Sequence, residues 1–285
     1  MNILITGANG FLGKEFTEYF SREHCVFPMS RQSLDVSNSE QVDDFFRKNK
    51  VDVVLHTAVK GGKRQSLDTF SDLLANLDMY RNLEKHRDKY GAMFCFCSGA
   101  AFDRSRDIRL VKEENLSEHC PSDYYGLSKN LIGRRIQELD SNIINLRLFG
   151  CFGKYEEDTR LIKSTFIKIK NREPVSIARR CMDFFYVRDL CKIIDFYSKN
   201  LKNDLPRDLN VVYNNKISTL YIVKEIQSIV GCSDKIIIKN YGDKFYYNGE
   251  GQKLKGLDID LDGLRAGMEE MYGEFYSESD KRQNS

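Results

Sequence analysis

The apolar run Ile3-Leu4-Ile5 leads directly into Thr6-Gly7-Ala8-Asn9-Gly10-Phe11-Leu12-Gly13. Strand, glycine loop and amphipathic helix, in that order, are how a chain cradles a pyrophosphate. Gly7 permits the tight turn, Gly10 lets backbone N–H groups approach phosphate oxygens, and Gly13 lets the helix pack close on the strand. The positive end of the helix then faces the negative ligand. The spacing is G-x-x-G-x-x-G rather than G-x-G-x-x-G. Glycine turns after strands are common, so it is the placement that points to a dinucleotide site.

Strand and helix signals alternate from there to about Gly150, the pattern of a doubly wound α/β fold with a parallel sheet. Helices are expected over 14–20, from a capping Ser39, over 71–89 and over 124–139. In the last of these Leu127, Leu131 and Ile136 are expected to face the core. Strands are expected over 25–27, 51–56, 92–97 and 143–149. Residues 1–150 form the expected dinucleotide-binding unit. Residues 151–276 are mainly a smaller substrate lobe, with segments from about 183–213 returning to the first sheet. In the lobe, helices are expected over 161–170, 190–199, 261–272 and from a capping Ser218, and strands over 174–178 and 209–213. Residues 277–285 read as a frayed tail.

Charge narrows the function. Lys and Arg number 44 against 42 Asp and Glu, a net +2. That balance builds no field for a nucleic-acid partner. No apolar run is long enough for a membrane helix, and no leader is expected ahead of the first strand. The eight cysteines show neither metal-ligand spacing nor a disulfide framework, and Cys95 and Cys97 read as small core residues. A reduced, cytoplasmic protein without a metal is expected.

Tyr125-Gly-Leu-Ser-Lys129 sets a phenol and an ammonium one helical turn apart. A lysine beside a phenol favours the phenolate and so helps it exchange a proton. With 15 Tyr and 24 Lys, chance supplies about one such pair, so context must carry the weight. The pair opens a helix 27 residues after Ser98, which follows a core strand. In an open α/β sheet, the positions beyond the strand C-termini line the ligand crevice.

The order of these segments resembles that of the extended short-chain dehydrogenase/reductases, of the NAD-dependent epimerase/dehydratase type, that act on nucleotide-sugars. The resemblance rests on Thr6 to Gly13, Leu34-Asp35-Val36, Val53-Val-Leu-His56-Thr-Ala, Asn76, Asn82-Leu83, Ser98, Tyr125 with Lys129, Leu146-Arg-Leu-Phe-Gly and Asp183-Phe-Phe-Tyr-Val-Arg-Asp, over about the first 190 residues. It implies that Tyr125 exchanges the proton on the sugar oxygen, that Lys129 holds the nicotinamide ribose, and that Ser98 hydrogen-bonds the same oxygen. It places the cofactor on Gly7, Asn9, Gly10, Phe11, Leu12, Thr57, Ala58, Val59 and Asn76, with Asp35 and Val36 at the adenine. Lys60, Ser98, Gly99, Ala100, Tyr125, Gly150, Arg179 and Arg180 would meet a nucleotide-diphosphate sugar, with a solvated turn as the alternative for the two arginines. A homodimer is compatible with the same resemblance. His56 ends a buried strand and reads as structural or cofactor-lining.

Between Cys25 and Leu34 there is no acid to take a ribose 2′-hydroxyl, while Ser30-Arg31 lies where a 2′-phosphate would sit. NADP(H) is therefore expected over NAD(H). Related dehydratases carry an Asp-Glu pair just after the catalytic Ser or Thr; here the stretch is Gly99-Ala100-Ala101. Epimerase-reductases similar to GDP-fucose synthase use a cysteine where Ala100 stands and a histidine near Arg160 and Leu161. What remains is hydride transfer plus protonation: a 4-ketoreductase of a nucleotide-linked 4-keto-6-deoxysugar, serving surface polysaccharide. The alternatives are a nucleotide-sugar 4-epimerase with tightly held NAD, and an NADP-sensing regulator; the intact Ser98, Tyr125 and Lys129 argue against the latter.

Overall fold

Runs such as Val53–His56 and Ala92–Cys95 are buried on both faces, which suits strands covered by helices on two sides. A computed structural model describes residues 1–62, 66–233, 236–239 and 245–283, with side chains as far as Glu274. Six strands form one parallel sheet in the spatial order Asp208–Val211, Ile143–Leu148, Ala92–Cys95, Val53–His56, Asn2–Thr6 and Cys25–Met29. Leu4, Val54, Met93 and Ile143 pack against Val42, Phe46, Tyr80, Leu83 and Ile136 from the helices on one face. Ile3, Ile5, Leu55 and Phe94 meet Phe16, Phe20, Leu190 and Ile194 on the other. The order switches direction between Asn2–Thr6 and its neighbours, which opens a crevice at the strand C-termini.

The last strand is held by charge as well as by backbone. Arg147, wholly buried, donates to both carboxylate oxygens of Asp208 at 2.9 Å and to Asn210 Oδ1 at 2.9 Å. Its guanidinium also lies over the Phe102 ring. Removing either partner would strand a charge in the interior, so the pair resists loss of that edge strand.

Smaller elements pair outside the six-stranded sheet. Helices Leu161–Lys170 and Thr219–Val230 flank the parallel pair Val175–Ala178 and Ile236–Lys239. Strand Phe245–Gly249 runs between Arg180–Met182 and Ile108–Val111, parallel to both.

Several local expectations change. The helix Ser39–Lys48 is capped by Asn38, whose side chain accepts from Gln41 N–H, not by Ser39. Leu131 is exposed, and Ile132 fills the core instead. The long helix is Phe70–Glu84, shorter than 71–89, with Thr69 and Asp72 in a capping box. His86 N–H then turns back to Leu83 O, so a short 3-10 turn, Arg87–Lys89, brings Tyr90 onto Phe46. The strand expected to Cys97 ends at Cys95. The helix expected from Leu190 starts at Val187, and the final helix, Gly263–Gln283, enters the stretch assigned to a tail. Residues 284–285 of that stretch lie outside the described residues.

Candidate active site

Two glycines of the loop are required by contact. Gly7 has φ +68°, and a Cβ there would sit 2.7 Å from Ala58 Cα; one on Gly13 would collide with the Gly7 carbonyl and Ala8. Gly10 is looser. It caps helix Phe11–Phe20 without a side-chain hydrogen bond, leaving first-turn N–H groups open to an anion. The loop therefore fits a pyrophosphate by shape and by donors.

Behind the loop, Thr6 Oγ1 and His56 Nδ1 lie 2.9 Å apart, and Thr57 Oγ1 donates to Thr6 O at 2.6 Å. Burial, aided by the charge on Lys129, pushes the His56 pKa down to about 3, so its ring is neutral. Asn76 is buried with its amide committed: Oδ1 accepts from Lys60 N–H at 2.8 Å, and Nδ2 donates to Lys60 O and Ser128 Oγ. Ser128 Oγ in turn donates to Tyr125 O at 2.7 Å. Asn76 thus ties the 57–62 loop to the helix rather than reaching into the cleft itself.

A cleft of about 770 Å³ opens beyond the strand ends. Of the residues singled out from the sequence, it gathers Gly10, Phe11, Leu12, Thr57, Val59, Lys60, Ser98, Tyr125, Lys129, Gly150 and Arg180. Ser98 forms a bridge with Leu148, and its Oγ accepts from Ala100 N–H at 3.2 Å. Tyr125 is the second residue of helix Tyr124–Glu138, whose cap Asp123 accepts from Gly126 N–H. Lys129 donates from Nζ to Phe96 O at 3.1 Å, with Nζ 5.7 Å from the Tyr125 ring centre. The Arg104 guanidinium sits 5.6 Å from the same centre and pairs with Asp123 and Asp68.

Other expected positions lie elsewhere. Ala100 is buried, and Gly99 is packed on Phe149 and Tyr247. Arg179 is exposed and does not line the cleft; Arg160 does, held near Glu156 at 3.4 Å. Gly7, Asn9, Ala58, Arg31, Asp35 and Val36 are likewise not among the lining residues. Arg31 instead meets Asp35 at 3.2 Å, and Asn82 donates to Val36 O.

Sequence reasoning missed Arg104, Arg160 and Tyr247. Arg104 sits in the charge run Asp103-Arg-Ser-Arg-Asp107, outside every motif read from the sequence. Tyr247 arrives only through pairing between segments more than 60 residues apart. Among the described residues, five basic side chains (Lys60, Arg104, Lys129, Arg160 and Arg180) face the cleft against Asp72 and Glu157, so a near-neutral chain concentrates positive charge here.

A family model described as NAD dependent epimerase/dehydratase family matches residues 3–212. The chain belongs to that family. Its fold is similar to that of a GDP-mannoheptose C4 reductase from Campylobacter jejuni with NADP bound, at 20% identity and TM-score 0.80 over 97% of this chain and 98% of that one. A dTDP-4-dehydrorhamnose reductase from Bacillus anthracis in complex with NADP matches at 21% identity and TM-score 0.78, over 96% and 98%. A dTDP-glucose 4,6-dehydratase from the same organism, in complex with NAD, matches at 15% identity and TM-score 0.74, over 99% and 98%. At these identities the likeness is one of fold.

Proposed function

We propose that the protein is an NADPH-dependent reductase of the C4 ketone of a nucleotide-linked 4-keto-6-deoxysugar, which completes a deoxysugar donor for surface polysaccharide. The observation that carries this is the meeting of Ser98, Tyr125 and Lys129 with the glycine loop in one cleft, with no carboxylate following Ser98. Gly99, Ala100 and Ala101 are buried, and none offers a base for a ring proton. Cys97 lines the cleft, but burial raises its thiol pKa and keeps it neutral. Two of the similar structures are reductases acting at C4 or on a 4-dehydro sugar, both with NADP.

The residues at the glycine loop and strand ends, Gly10, Phe11, Leu12 and Thr57, would hold the dinucleotide, which when bound supplies the hydride. Tyr125 delivers its phenolic proton to the C4 oxygen, and Ser98 donates a hydrogen bond to it. Lys129, anchored on Phe96 O, puts its charge within one helical turn of the phenol and stabilises the anion left there. Lys60, Arg160 and Arg180 supply the cationic wall for the substrate diphosphate.

The test is NADPH oxidation against a panel of 4-keto-6-deoxysugars carried on CDP, dTDP, GDP and UDP. Turnover of at least one is expected. No turnover, with NAD retained through purification, would support the 4-epimerase instead.

A further inference from the structure

Tyr247 stands in the cleft with no part in the chemistry above. Its strand, Phe245–Gly249, is paired on both sides, so two neighbouring backbones fix its position. The side chain is buried, edge-on to Phe149 with ring centres 5.6 Å apart. Its hydroxyl lies 3.5 Å from Ser98 Oγ. Gly99 makes that approach possible: a Cβ there would fall 2.8 Å from the phenol oxygen and 2.5 Å from the Phe149 ring.

A serine hydroxyl has one proton and two lone pairs. Ala100 N–H fills one lone pair at 3.2 Å. If the Tyr247 O–H fills the other, the Ser98 proton is left only the direction of the cleft, where the oxygen of the proposed substrate would lie. The opposite arrangement, with Ser98 donating to Tyr247, turns Ser98 away from the substrate. It also leaves the Tyr247 proton without a protein acceptor among the described residues. Burial raises the Tyr247 pKa, so the proton needed for donation is present. A separation of 3.5 Å is long for a formed O–H···O bond, as catalytic contacts often are before substrate binds.

We propose that Tyr247 is a positioning residue for the reduction: it donates to Ser98 and thereby makes Ser98 a donor to the C4 oxygen. This rests on the reductase function proposed above, in which Tyr125 alone transfers the proton. Gly99 then belongs to the site as the residue whose missing side chain admits the phenol.

The experiment is a double-variant cycle with Tyr247→Phe, Ser98→Ala and both together, using NADPH and a 4-keto sugar that the wild type turns over. Tyr247→Phe should lower kcat by about three- to tenfold, the scale of one hydrogen bond, with KM for both substrates within about twofold. In the Ser98→Ala background the same change should cost nothing further. NADPH fluorescence on binding and the melting temperature confirm that the fold is kept. If Tyr247→Phe melts early, Gly99→Ala, which displaces the phenol while keeping every hydroxyl, should give the same loss of kcat and the same silence in Ser98→Ala. An unchanged kcat, or equal losses in both backgrounds, would overturn the role of Tyr247 and leave the reductase standing. A wild type inactive on every 4-keto sugar would overturn the reductase, and this role with it.

Discussion

Tyr124 and Tyr125 are one step apart on the same helix, yet they face different surroundings. Tyr125 lines the cleft beside Lys129, while Tyr124 is 41% exposed and rests against Phe70. Tyr125→Phe should keep the fold and NADPH binding and lower kcat by about 10²–10⁴, the usual contribution of a placed acid. Tyr124→Phe should leave kcat near wild type; equal small losses would remove Tyr125 from the chemistry. Arg31 poses a different question, because it already pairs with Asp35. Its side chain is 72% exposed, and an exposed pair is worth about 0–1 kcal/mol. A charge-assisted bond to a 2′-phosphate is worth roughly 1.5–3 kcal/mol, so the phosphate would win the arginine. Arg31→Ala should raise KM for NADPH about tenfold or more while leaving NADH nearly unaffected; equal effects would show that another group discriminates. Ser98, Tyr125 and Lys129 could be singled out from the sequence because their evidence is local, a spacing and a strand end, and the cleft gathers all three; Arg31, singled out by a missing acid, lies outside that lining.

Element boundaries were less legible, and the reasons are physical. Asn38 and Ser39 are both good capping residues, and only the backbone path decides that Asn38 reaches Gln41 N–H. Leu131 and Ile132 are both apolar, and only the docked helix shows which one faces the sheet. Helix Phe11–Phe20 conceals a further consequence. Its Glu15 is buried beside Tyr155 N–H and Arg188, and desolvation lifts its pKa to about 7. The folded state therefore keeps a proton that the unfolded chain releases near 4.5, so stability falls as pH rises from about 4.5 to about 7. Buried His56 acts in the opposite sense, because its pKa is depressed from 6.5 to about 3 and its contribution is lost as pH falls through that window. The two oppose each other where the windows overlap, so the wild-type profile alone hides both. Melting temperatures of wild type and Glu15→Gln, taken across about pH 4.5 to 7.5, should separate them: the wild type should lose ground to the variant as pH rises. A constant difference would mean that Glu15 titrates normally.

Across the whole molecule, the alternation of elements made the doubly wound sheet visible, because each strand–helix unit is a local pattern. Arg180 was legible as a substrate contact, but Arg104, Arg160 and Tyr247 were not; Tyr247 joins Arg180 in the cleft through a parallel pairing between segments far apart in the chain. Among the described residues the cleft gathers five cations in a chain of net charge +2, which composition alone conceals. The chemistry of that cleft can be read from where hydrogen isotopes go. NADPH deuterated at its transferable position, incubated with an accepted 4-keto sugar in ordinary water, should yield product with one deuterium at C4 and none elsewhere. The reciprocal reaction, with unlabelled NADPH in deuterated water, should place no carbon-bound label at C3 or C5, because Ala100 offers no base there. Product without deuterium at C4 in the first reaction, or with solvent deuterium at C3 or C5 in the second, would contradict direct C4 reduction at Ser98, Tyr125 and Lys129.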